Sequence, residues 1–71
     1  MNLSIASALK KGENSLRKAG IQNSKKEAAE ILENVTKLST EQVFLLKNKN
    51  IGLRGTKNFL KKIKRRKKGE P

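Results

Sequence analysis

The residues able to do chemistry in this chain are few and of two kinds. Glu27, Glu30 and Glu33 recur at i, i+3, i+6, and the run Lys61 to Lys68 holds seven basic side chains in eight positions. Three carboxylates on one helix could approach a hard cation, but di-metal helical sites draw their ligands from several helices. The glutamates therefore read as a solvated face. The basic run can neutralise phosphates, which gives an affinity that falls steeply with salt. No aromatic ring lies among its residues, and general single-strand binders stack bases on such rings. The ordinary reading of the run is a solvated helix end whose charge suits the negative pole of the helix dipole. Nucleic acid, RNA or DNA, is the less favoured partner on these grounds.

The missing residue types exclude more than the present ones suggest. There is no histidine, cysteine, aspartate, tryptophan or tyrosine. Without His, the commonest general base near neutral pH is gone. Without Cys or His, a transition-metal site would rest on glutamates alone. No nucleophile–base pair, glycine-rich phosphate loop or dinucleotide fingerprint is present. The chain reads as a binding or accessory module and not as an independent enzyme. The longest apolar run, Val43-Phe44-Leu45-Leu46, is far short of the roughly 20 residues of a membrane span. Met1-Asn2-Leu3 opens no signal peptide. Together with the absent cysteine this points to the cytoplasm and away from a membrane partner.

Seventy-one residues allow one small domain. A chain of this size buries only about 60% of its unfolded surface, so its core is thin. The net charge of +12 is uneven: residues 1–55 carry ten basic and five acidic side chains, residues 56–71 eight and one. Lysine outnumbers arginine 14 to 4, a bias that an A/T-rich genome also writes on exposed surfaces.

The elements that must position these charges are helices. Ser4 is a good N-cap, and Ile5, Ala8, Leu9, Leu16 and Ala19 form an apolar stripe. Gly12 interrupts it, either weakening the helix or admitting a close neighbour. Gly20 supplies a left-handed stop, with Ile21 folding back onto Leu16, so the first helix spans about Ile5 to Ala19. Ser24 to Glu27 reads as a capping box ahead of the stripe Ala28, Ile31, Leu32, Val35 and Leu38, and Glu33 and Lys37 are spaced as an i,i+4 pair. A short third helix follows the capping-box pattern Ser39 to Gln42, with Val43, Phe44 and Leu46 as anchors. Residues 47–55 read as a loop. The last helix starts between Gly52 and Thr56, carries Phe59, Leu60 and Ile63, with Leu53 a further candidate, and ends by Lys68. The architecture expected is an all-α bundle of four to five short helices, with no internal repeat and no strand-like alternation.

The order of these signals resembles the N-terminal helical domain of the HemK/PrmC family. The segments that carry the likeness are Leu9 to Leu16 with Ala19-Gly20-Ile21, Ser24, Glu27-Ala28, Ile31-Leu32, Val35, Leu38-Ser39 and Gln42-Val43. Phe59, Ile63, Arg65-Arg66 and Gly69-Glu70-Pro71 complete it. Ala29, Lys37 and Lys62 depart from the family, which has an acid, often a glycine, and an apolar residue at those places. Family members are S-adenosylmethionine-dependent methyltransferases that modify the glutamine of the Gly-Gly-Gln motif of peptide-chain release factors. The resemblance implies that residues 1–68 are a substrate-recognition domain that does no chemistry itself. It also implies that residues 69–71 begin a linker to a catalytic domain, where S-adenosylmethionine would bind. The family's Asn-Pro-Pro-Tyr motif and cofactor loop have no counterpart here, so no catalytic, cofactor or metal residue is assigned. The partners implied are a release factor and the protein's own catalytic domain. The candidate partner-contacting residues are the exposed basic side chains Lys61, Lys64, Arg65 and Lys68.

Overall fold

Four helices make up the fold: α1 (Ile5–Lys18), α2 (Ser24–Thr36), α3 (Thr40–Leu45) and α4 (Gly52–Lys67). The computed structural model describes residues 2–69. Glu70 and Pro71, the second half of the expected linker segment, lie outside the described residues. Among the described residues there is no named strand, only one isolated bridge between Ser4 and Asn50. The all-α bundle read from the sequence is the architecture observed.

α1, α2 and α4 pack against one another, and α3 leans on α2. Their shared core is Ile5, Ala8, Leu16, Ala28, Leu32, Val43, Phe59 and Ile63. Leu9, Ile21, Ile31, Val35 and Leu38 pack around it, partly buried. Ala19 falls outside the stripe and is exposed, because it caps α1 instead of continuing it. Gly12 is buried where α1 meets α4: a Cβ there would lie 2.8 Å from the Phe59 ring. Its small size admits a neighbour, which settles the choice left open by the sequence.

Local chemistry sets the helix ends. Ser4 accepts the Ser7 N–H. At the far end of α1 the Ile21 N–H donates to the Leu16 carbonyl and the Gly20 N–H to that of Arg17, with Gly20 at φ +82°. This paired closure satisfies carbonyls the helix leaves open. Ser39 and Gln42 form the capping box expected at α3. The one expected at α2 does not form. Asn23, in the left-handed region, is the N-cap and makes no side-chain cap bond; Ser24 is buried inside the first turn. Glu27 has instead been recruited by Arg66 of α4. The expected Glu33–Lys37 pair is also absent. Lys37 is the left-handed C-cap of α2 at φ +62°, and Glu33 accepts a hydrogen bond from Thr40 Oγ1. A left-handed lysine is strained relative to glycine.

The chain before α1 is stitched to the loop before α4. Ile5 and Ala6 N–H groups, unpaired within their own helix, donate to the Lys49 and Lys47 carbonyls at 2.9 and 3.0 Å. The Leu3 carbonyl accepts from Ile51, while the Leu3 N–H donates to Thr56 Oγ1 at 3.0 Å. Thr56 is therefore buried and satisfied, a core position the apolar pattern could not reveal. α4 begins at Gly52, the early end of the expected range, so residues 52–55 at the end of the 47–55 segment form its first turn. That register points Leu53, a further candidate for the apolar face, outward at 66% exposure. Phe44, expected as an anchor, is 51% exposed; Val43 does that work.

Candidate functional site

The structure sorts the charges of α4 by direction. Thr56, Phe59 and Ile63 face the core. At about 100° of turn per residue, Arg54, Lys57, Lys61, Lys64, Arg65 and Lys68 fall in an arc of about 100° on the opposite side. All six are exposed. The eight-residue window Lys61 to Lys68 does wrap the cylinder, as its sequence implies. Starting the helix at Gly52 adds Arg54, which with Lys57 reveals a stripe within that wrap. The stripe runs about 21 Å along the axis at 1.5 Å per residue. The four candidate contact residues Lys61, Lys64, Arg65 and Lys68 all belong to it. Arg54 was missed because it lies in the Gly-rich segment 47–55 that reads as a loop, and Lys57 because it falls outside the dense run Lys61 to Lys68.

The two flanks of the stripe differ. On the α2 side, Arg66 Nε and Nη2 donate to the two Glu27 oxygens at 2.6 and 3.1 Å. This two-point contact holds the Arg66 guanidinium above its usual pKa, through the hydrogen bond first, offset by partial desolvation and aided by the Glu27 charge. Glu30 lines the same shallow groove, with Lys62 and Arg65. On the α1 side no acid intervenes. Lys11 and Ser15 share a small depression with Lys64 and Lys67 of α4. The basic surface therefore widens toward α1 and is neutralised toward α2.

Glu27, Glu30 and Glu33 do not act together. Glu27 is engaged with Arg66 and Glu33 with Thr40. Among the described residues no group of three potential metal ligands converges, and no helix is long and apolar enough to cross a membrane. A second groove, of about 480 Å³ between α1, α2 and α3, has an apolar floor of Leu9, Ala29 and Phe44. Glu13, Glu30, Glu33, Lys25, Lys26 and Thr40 rim it, with the Thr40 hydroxyl donating to Glu33. What the geometry shows is surface: the basic stripe of α4 and the two grooves beside α2.

No curated protein and no solved structure is significantly similar to the chain. The family model described as the PrmC N-terminal domain matches residues 7–71. The match takes in every helix of the bundle except the first two residues of α1, and the chain belongs to the PrmC N-terminal domain family.

Proposed function

We propose that this chain is the substrate-holding domain of an S-adenosylmethionine-dependent methyltransferase that modifies the glutamine of peptide-chain release factors. The observation that carries the reading is the family match over residues 7–71. The substrate-recognition domain is residues 1–68, and 69–71 begin the linker. S-adenosylmethionine does not fit the residues present. No glycine-rich loop or Asn-Pro-Pro-Tyr motif occurs in the sequence, so the cofactor belongs to the catalytic domain of the parent protein. The setting for such a protein is the cytoplasm, where release factors work.

The gene read past codon 71 tests the parent assignment. The expected result is an Asn-Pro-Pro-Tyr motif within the next couple of hundred codons, in a segment with the strand–helix alternation of a Rossmann-like domain. A stop codon directly after Pro71 would end the assignment.

A further inference from the structure

We propose that the outer face of α4 is a track for the phosphate backbone of a nucleic-acid duplex, read without regard to sequence. The ligand is recognised by six exposed cations, Arg54, Lys57, Lys61, Lys64, Arg65 and Lys68, in one arc of α4 and its C-cap. None of the six is in an ion pair among the described residues, and α4 contains no acid. Neighbours along the stripe lie about 5–6 Å apart, so each can meet a different phosphate. Lys11 and Lys67 extend the positive surface toward α1.

The chemistry favours nucleic acid over the other polyanions. Helices that lie on membranes insert an apolar face beneath their charges. The apolar face of α4, Phe59 and Ile63, is already committed to the core. Protein interfaces are depleted in lysine and centre on desolvated aromatic or arginine anchors. Four of these six residues are lysines, and no aromatic side chain lies among them. Strongly hydrated point charges in a row suit phosphates, whose bound counterions are released on contact. The missing aromatics also argue for a duplex over a single strand, since nothing on the face can stack on bases.

The proposal stands apart from the release-factor reading: a protein substrate need not touch this face, and either can fail alone. The test is fluorescence anisotropy of a labelled 20-base-pair DNA duplex titrated with the 71-residue chain. Six contacts predict a log–log salt slope of about −5, which is a loss of about 10³-fold between roughly 50 and 200 mM salt. Lys57→Gln, Lys61→Gln and Lys64→Gln together should bring the slope to between about −2 and −3, one unit per lost phosphate contact. Lys25→Gln, Lys26→Gln and Lys47→Gln remove the same charge from exposed sites elsewhere and should leave the slope unchanged. All six lysines lie outside the core, so helicity by circular dichroism should survive both changes. Equal losses from both triple variants would overturn the proposal, because they would show attraction by net charge alone. So would the absence of duplex binding at 50 mM salt, or competition by polyglutamate as effective as that of unlabelled duplex, which would indicate an acidic protein surface as the ligand.

Discussion

Phe59→Ala is expected to abolish cooperative unfolding at room temperature. Phe59 is the largest fully buried side chain, and its ring touches Gly12 of α1 while its own helix packs on α2. Truncating a buried Phe costs about 3–5 kcal/mol through lost transfer energy and the cavity left behind. A single core in a chain below about 70–80 residues supplies about 3–5 kcal/mol in total. The two quantities are of equal size, so the variant has nothing left to hold it folded. A thermal melt followed by circular dichroism at 222 nm checks this. A sigmoidal transition retaining all but about 1 kcal/mol of the stability would show that the ring is not the centre of the core.

Gly12→Val should destabilise the chain by more than about 2 kcal/mol, although valine is the better helix former by a few tenths. The added Cβ would sit 2.8 Å from Phe59 Cζ, 3.1 Å from Ile63 Cδ1 and 3.2 Å from Ala28 Cβ. Three side chains on two helices, α2 and α4, would have to move at once. Forcing atoms into a filled core costs about 1–3 kcal/mol for small additions, and the γ-methyls of valine add to the first clash. The effect should couple to its neighbour: Phe59→Leu removes the ring that valine strikes, so the double variant should lose less than the sum of the two single losses. Denaturant melts of the four proteins complete the cycle. Stabilisation by Gly12→Val would mean that the close approach of α1 and α4 is wrong.

These two residues show which features the sequence carries and which it hides. Stops and caps that close within four or five residues were legible, such as Ser4 with Ser7, Gly20 with Ile21, and Ser39 with Gln42. The stripe through Ala28 and Leu32 was legible because helical periodicity is local. Partners distant in sequence were not. Ser24 and Glu27 have the right types for a capping box, but Arg66, 39 positions away, takes the carboxylate. Thr56 looks polar and is buried, because the Leu3 N–H needs an acceptor 53 positions away. The basic stripe was half visible for the same reason. Its extent depends on where α4 begins, and Gly52, whose N–H is held by Asn2 Oδ1 at 2.9 Å, is fixed by the opposite end of the chain.

The charge distribution gains meaning from that placement. The five acids of residues 2–69 lie on α1, α2 and α3, and α4 carries bases only. One face is left to oppose a polyanion while the rest of the surface stays mixed.

The central claim, that this domain holds a release factor, is tested most directly by isothermal titration of the chain against a purified peptide-chain release factor. The titration belongs in roughly 200 mM salt, where attraction to contaminating nucleic acid is suppressed. The account predicts saturable one-to-one binding that survives the salt. No binding down to a dissociation constant of about 1 mM, with the chain shown to be folded, would contradict it.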